Sequence, residues 1–394
     1  MLFSLGFIFL LGLLLAAISE RIGLPRIIGM LCVGILTGPF VLSLIDPSVL
    51  DISANLRQIA LVIILIKAGL TLNAADLKKN GRAAVMMAFV PACAEIVGYI
   101  ILAPLLFHFT LAEAALMGAV LSAVSPAVVV PRMVAFIENR RGTGKGIPQM
   151  ILAGASCDDV FVIVLFSAFL TMARGGGFSA AGLLNIPISA VTGVVCGVLC
   201  GILLHILFEK RTAMNETVKV IIILGMAFML IGTETLLKPY VAFSGLLSVV
   251  AMACVIRFKA DTAVSAALSG KYGKLWTAAE LLLFVLVGAA VDITHAVEAG
   301  LPALIIIFGA LVFRAAGVML CLAGTKLTAK ERLFCVIAYL PKATVQAAIG
   351  SVPLAAGLPC GNTVLSVAVL AILITAPIGA IGRDKTAPLF LEAE

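Results

Sequence analysis

The chain has 394 residues, of which 62% are hydrophobic and only 12% charged, with a mean hydropathy of +1.22. A soluble domain carries about 25% charged residues, and so little polar cover cannot face water on all sides. A soluble enzyme, a nucleic-acid-binding module and a disordered scaffold are therefore excluded, and the net charge of +7 has to be understood from where the loops lie.

A helix that spans a bilayer needs about 20 mostly apolar residues. Thirteen stretches qualify in chain order: 2–18, 24–43, 57–73, 83–107, 111–136, 147–172, 184–208, 218–235, 239–257, 276–294, 301–323, 331–356 and 362–382. The first starts at Met1 without a basic leader or a small-residue cleavage site, and reads as a retained helix rather than a signal peptide. Of the 27 Lys and Arg, 20 fall in the odd-numbered loops and the C-terminal tail. Only Arg57, Arg174 and Lys238 fall on the other side, while Lys67, Arg132, Arg314 and Lys342 lie within spans. By the excess of positive charge in cytoplasmic loops, the N-terminus is outside and the C-terminus inside, with the protein in the cell (cytoplasmic or inner) membrane. The same split accounts for the net charge without an acidic partner or nucleic acid. Lys67 and Arg132 read as snorkelling toward the surface, and Glu280 and Asp292 as interfacial residues flanking the tenth segment. Gly175–Gly177 reads as a short loop. The nine cysteines form no C-x-x-C and the three histidines no paired metal motif, so neither disulfides, zinc nor any other cofactor is expected.

The charges within spans need a reason, because one at the bilayer centre costs roughly 2.5–3.5 kcal/mol even on a lenient scale. At a rise of about 1.5 Å per residue, mid-membrane lies some 10–13 residues into a helix. Glu95 on the fourth segment, Asp158 and Asp159 on the sixth and Arg314 on the eleventh all reach that depth. So do Ser125-Pro126 on the fifth segment and Pro341-Lys342 on the twelfth. Two close carboxylates in low dielectric do not both ionise freely, so a proton and a metal cation would compete for the same oxygens. Ser125, Ser156 and carbonyls released from helical bonding by Pro126 and Pro131 are further oxygen ligands for a hard monovalent cation. Irregular backbone at this depth is tolerated only in a protein interior or a water-filled cavity, and a broken helix beside a cation site is a recurrent transporter device. Glu95 and Arg314 read as a buried structural ion pair, and Lys342 as a stabiliser of broken-helix ends.

The fourth to sixth segments bring an ionisable residue, a Ser-Pro break and an acid pair. The eleventh to thirteenth bring Arg314, a Pro-Lys break and Thr375-Ala376-Pro377. The two sets enter the membrane from opposite faces, which is the pattern of an inverted repeat.

Four segments carry a resemblance to a known family: Ala123-Val124-Ser125-Pro126-Ala127-Val128-Val129-Val130-Pro131, Gly154-Ala155-Ser156-Cys157-Asp158-Asp159-Val160, Tyr339-Leu340-Pro341-Lys342-Ala343-Thr344-Val345-Gln346-Ala347-Ala348 and Ile374-Thr375-Ala376-Pro377-Ile378-Gly379. From about the third segment to the C-terminus the chain resembles the monovalent cation/proton antiporter superfamily (CPA2), most closely its sodium/proton antiporter NHA branch. The resemblance implies an all-α integral membrane protein of thirteen transmembrane helices, with an inverted repeat and discontinuous crossing helices 5 and 12. It implies scaffold and dimerisation helices at 1–75 and 213–299, an ion-translocating core at 76–173 and 300–394, and a linker helix at 174–212. Asp159 matches the principal cation and proton carrier and Asp158 its partner acid. Many relatives have Lys where Arg314 stands, and there it pairs with the first acid; here Glu95 is an alternative partner, which bears on stoichiometry.

The expected activity is exchange of Na⁺ or Li⁺ for H⁺ by alternating access, in a lipid-embedded homodimer, with cation and proton competing at Asp158 and Asp159. K⁺/H⁺ exchange is the nearest alternative, because both ions take oxygen ligands. A Na⁺-coupled organic anion symporter is less favoured, because an anion prefers a positive site. No nucleophile–base pair or metal cluster points to a membrane enzyme, and no ring of pore-lining residues to a channel.

Overall fold

A bilayer offers no water to backbone N–H and C=O groups, so a chain this apolar must satisfy them internally. The computed structural model describes residues 1–71, 81–175, 180–210, 214–237, 241, 243–294 and 300–392, without the side chains of 126–127, 131, 156, 180–187, 190, 235 and 262. Among the described residues all regular structure is helical and no strand forms. In chain order the helices are α1 (Leu2–Arg21), α2 (Arg26–Thr37), α3 (Pro47–Asp51), α4 (Ser53–Thr71), α5 (Gly81–Met87), α6 (Val90–Phe107), α7 (Leu111–Leu121), α8 (Pro126–Glu138) and α9 (Ile147–Arg174). They continue with α10 (Ala180–Lys210), α11 (Glu216–Leu237), α12 (Gly245–Lys259), α13 (Thr262–Ala289), α14 (Gly300–Cys321), α15 (Ala329–Ala338), α16 (Thr344–Gly350), α17 (Val352–Ala355) and α18 (Gly361–Phe390). Nine stretches among the described residues are long and apolar enough to cross a membrane, and the chain is a multi-pass integral membrane protein.

Several boundaries depart from the sequence expectation. The second segment, expected to reach 43, is helical only to Thr37, because Gly38-Pro39 takes the chain out of helical geometry. The tenth, expected at 276–294, is α13 at Thr262–Ala289. Its polar, alanine-containing first half is a good helix former but falls outside an apolar window. Lys271 and Lys274, read as loop residues, therefore lie on α13, and Glu280 lies in its interior rather than at its edge. The last segment, expected to end at 382, runs on to Phe390. Arg383, read as a tail residue, is thereby buried and donates from Nη1 to the Val128 carbonyl at 2.9 Å. The basic loop residues Lys78, Lys79, Arg211 and Lys238, with His295 and Gly176–Gly177, lie outside the described residues.

The contacts divide the chain into two units, with boundaries inside α4, α9 and α13. The first comprises Met1–Arg57, Asn73–Val162 and Leu281–Glu394. In it α1 packs on α2, α6 on α7 and α14, and α15 on α18. The α6–α14 contact is close because Gly98 faces the Phe313 ring and Gly317 faces Pro91 and Ala94, leaving no room for a Cβ. Each glycine stands three residues from a charged side chain, Glu95 on α6 and Arg314 on α14, and so brings the two charges together. The second unit comprises Gln58–Leu72 and Ile163–Glu280. Its α10 and α12 approach through Gly193, Gly197 and Gly201, which face the Ser244, Ser248 and Met252 carbonyls. Ser248 donates to the Gly193 carbonyl at 2.8 Å across that seam, as small-residue helix pairs in membranes do.

Candidate ion-binding site

The fifth and twelfth apolar segments, expected to be discontinuous, are interrupted. The fifth is α7 and α8, separated by 122–125; the twelfth is α15 and α16, separated by 339–343. Each begins with a Thr-x-x-Glu capping box. Thr110 N–H donates to Glu113 Oε2 at 2.9 Å and Thr328 N–H to Glu331 Oε2 at 2.7 Å. The Thr hydroxyls accept from the Glu amides in return, so donors otherwise left bare at a helix start are satisfied. Each then breaks where Pro has no N–H to give, and the two breaks touch: Ser125 N–H donates to the Pro341 carbonyl at 2.8 Å.

Glu95, Asp158, Arg314 and Lys342 meet at these breaks, Asp159 follows Asp158, and all five belong to the first unit. Glu95, Ser125, Asp158 and Arg314 are 0% exposed, Lys342 1% and Asp159 7%. Arg314 Nη1 donates to Glu95 Oε2 at 2.7 Å, and Lys342 Nζ donates to the same oxygen at 2.6 Å. Arg314 Nη2 lies 3.8 Å from Asp158 Oδ2, so this arginine serves Glu95 and the first acid together. Arg314 also donates from Nε to the Tyr339 carbonyl at 2.5 Å and from Nη1 to the Ser122 carbonyl. These carbonyls close the first halves of the two broken helices, where negative dipole ends favour a cation. The sequence reading gave that task to Lys342. The structure gives it to Arg314, whose planar five-donor fork serves several acceptors at once, while the single ammonium of Lys342 goes to Glu95.

Asp158 Oδ2 accepts from Val124 N–H at 2.6 Å, which ties the first acid to the first break. Among the described residues, its Oδ1, the Asp159 Oδ1 and the Ser125 hydroxyl are buried without a hydrogen-bond partner. An unpaired buried polar atom costs about 1–3 kcal/mol, and three such oxygens on neighbouring elements are suited to a hard cation or a proton. The side chains of Ser156, Pro126 and Pro131 lie outside the described residues, although Pro126 opens α8 at its first position. Arg132, read as snorkelling, is exposed and pairs with Asp384 at 2.8 Å.

Four further contributors had no role assigned to them from the sequence. Gln346 is fully buried and bonds to both breaks, from Nε2 to the Ala123 carbonyl at 2.7 Å and at Oε1 from Ala343 N–H at 2.8 Å. Thr375 accepts from Lys342 N–H at 3.0 Å. The Tyr339 hydroxyl reaches the Met87 carbonyl at 3.1 Å while its ring lies 5.3 Å from the Arg314 guanidinium carbon. Arg383 holds the first turn of α8. Only the polar character of these residues within apolar runs could have signalled them, and a neutral polar side chain is too common there to stand out.

Known proteins share this architecture. The chain matches the family described as sodium/hydrogen exchanger, transmembrane, over residues 6–383. Sodium/hydrogen exchanger 9B2 of Xenopus tropicalis is 34% identical over 354 residues, covering 86% of this chain but 64% of that protein, less than two thirds of its length. The 9B2 exchanger of Homo sapiens is 33% identical over 392 residues, covering 94% and 70%, and human 9B1 is 32% identical over 387 residues, covering 93% and 73%. The structure of the sodium proton antiporter MjNhaP1 from Methanocaldococcus jannaschii at pH 8 superposes with a TM-score of 0.81 at 24% identity, over 98% of this chain and 97% of that one. The antiporter fold expected from the sequence is thus found, and so is the superfamily; the narrower CPA2 label is not, since the matching family is the broader sodium/hydrogen exchanger. With a match that runs almost from end to end and relatives alike over most of its length, the chain belongs to the sodium/hydrogen exchanger family, whose members are secondary transporters and not enzymes.

Proposed function

We propose that this protein exchanges Na⁺ or Li⁺ for H⁺ across the cytoplasmic membrane by alternating access, with the two ions competing for Asp158 and Asp159. The observation that carries this reading is the pair of buried acids with unpartnered oxygens beside two touching helix breaks. Formal charge supplies the coupling. Glu95, Asp158 and Asp159 against Arg314 and Lys342 leave one negative charge, and moving a bare charge through hydrocarbon is costly. One Na⁺ or one proton restores neutrality, so the site crosses loaded with either ion and not empty.

On this reading thirteen helices cross the membrane, with the N-terminus outside and the C-terminus in the cytoplasm. A mobile core from 76–173 and 300–394 works against a scaffold from 1–75 and 213–299, linked by 174–212, in a homodimer embedded in lipid. The source of the site residues supports this division, since every one of them comes from the two core stretches. Ser125 and Ser156 are assigned as further ligands. The names of the relatives favour sodium over K⁺, and two buried acids disfavour an organic anion.

The test uses purified protein in liposomes with a trapped pH dye and an imposed proton gradient. Na⁺ and Li⁺ are expected to collapse the gradient, K⁺ is not, and Asp158→Asn/Asp159→Asn is expected to abolish the response. Collapse by K⁺ would move the assignment to the other ion, and a response that survives in the double variant would remove the acids from the mechanism.

A further inference from the structure

Gln346 stands one turn into α16, fully buried, and carries no charge. Its side chain nevertheless spans both helix breaks. Oε1 accepts from Ala343 N–H at 2.8 Å, and Nε2 donates to the Ala123 carbonyl at 2.7 Å and more weakly to the Leu121 carbonyl at 3.5 Å. The orientation of the amide is forced, because one neighbour is an N–H that needs an acceptor and the other a C=O that needs a donor. The Ala123 carbonyl belongs to the same peptide unit as Val124 N–H, and that N–H donates to Asp158 Oδ2 at 2.6 Å. An unbroken chain therefore runs from the Lys342–Ala343 peptide through the Gln346 amide and the Ala123–Val124 peptide to the first acid. Linked hydrogen bonds polarise one another in a low-dielectric interior, and a peptide plane gripped at its carbonyl cannot swing its N–H away.

We propose that Gln346 is the positioning residue of the cation site: by fixing the Ala123–Val124 peptide it holds Asp158 Oδ2 and aims the free Oδ1 at the transported cation. This rests on the ion-binding reading given above. Met keeps most of the volume while losing both bonds, and Leu loses both as well. A role confined to stability would leave ion affinity alone, so the two roles separate in kinetics.

The experiment compares wild type, Gln346→Met, Gln346→Leu and Asp159→Asn in liposomes at one pH, measuring the apparent KM for Na⁺, Vmax and the melting temperature. Loss of the grip on a hydrogen bond to a charged acceptor predicts a KM raised about tenfold in Gln346→Met, with Vmax held within about twofold of wild type. Gln346→Leu, which loses both bonds without adding charge, is expected to raise KM as far, and it carries the test alone if Gln346→Met does not assemble. A KM within about twofold of wild type in a folded variant, with only Vmax or melting temperature reduced, would overturn the assignment. Asp159→Asn separates the two levels. If it exchanges normally the site itself is wrong, whereas if it is inactive and both Gln346 variants bind Na⁺ as wild type does, only the positioning role falls.

Discussion

The two broken helices are built alike and charged differently. Each opens with a Thr-x-x-Glu box, runs 11 residues in α7 or 10 in α15, breaks at Pro and resumes. Around the first break stand unpartnered oxygens, those of Ser125, Asp158 and Asp159. The second break carries the cation Lys342, which is bound to Glu95. Equivalent backbones thus present a ligand-bearing side and a counter-charge side, with Arg314 bridging the carbonyl ends of both. An inverted repeat supplies the geometry twice. The side chains then differ, and that difference leaves one formal negative charge, which the proposed exchange would fill with a cation or a proton.

The sharpest way to break this comparison is to remove an acid on the ligand side. Asp159→Asn is expected to reduce exchange to background in a protein that still folds, read by gradient collapse and by melting temperature. The next effect lies on the counter-charge side. Glu95→Ala strands Arg314 and Lys342 without their shared partner, and breaking a buried pair costs about 3–5 kcal/mol. The melting temperature is expected to fall on the order of 10 °C while the preference for Na⁺ over K⁺ stays; an unchanged melting temperature would show that Glu95 does not hold the two cations. A smaller effect follows from the charge count. Wild-type exchange is expected to ignore an imposed membrane potential, whereas Lys342→Met leaves an extra negative charge and makes the rate depend on it. Potential-dependent exchange by the wild type would refute the count.

The smallest effect concerns the start of α15. Lys145 donates to Glu331, the capping acid of α15, at 2.8 Å and lies 3.7 Å from Glu392. The hydrogen bond to Glu331 raises the Lys145 ammonium above its ordinary range. A raised lysine contributes below its unfolded value near 10.4 and loses that contribution as pH rises through the folded value. Lys145→Met should therefore lower the melting temperature slightly at neutral pH, and the gap should close in strong alkali. A gap that persisted there would exclude the ion pair as its source.

Much of the site was legible because a charge or a proline inside an apolar run is expensive. Glu95, Asp158, Asp159, Arg314 and the two Pro-bearing breaks stand out for that reason, and depth counting places them together. Gln346, Tyr339 and Thr375 did not stand out, because a neutral polar side chain costs little in such a run and its partners are backbone atoms of distant helices. That Arg314 reaches the helix ends as well as Glu95, and that Lys342 turns to Glu95, depended on reach and donor number, which spacing does not encode. Hydropathy misplaced α13 and cut α18 short for a related reason. It finds where a helix is apolar and not where it ends, so Lys271, Lys274 and Arg383 were assigned to loops although the backbone continues through them.

Competition between cation and proton for one site is tested most directly without transport. Na⁺ is titrated into purified protein in weakly buffered solution, and bound Na⁺ and released H⁺ are counted together. The account predicts release of about one proton for each Na⁺ bound, with both binding and release lost in Asp158→Asn/Asp159→Asn. Na⁺ binding without proton release, or release that survives in the double variant, would contradict it.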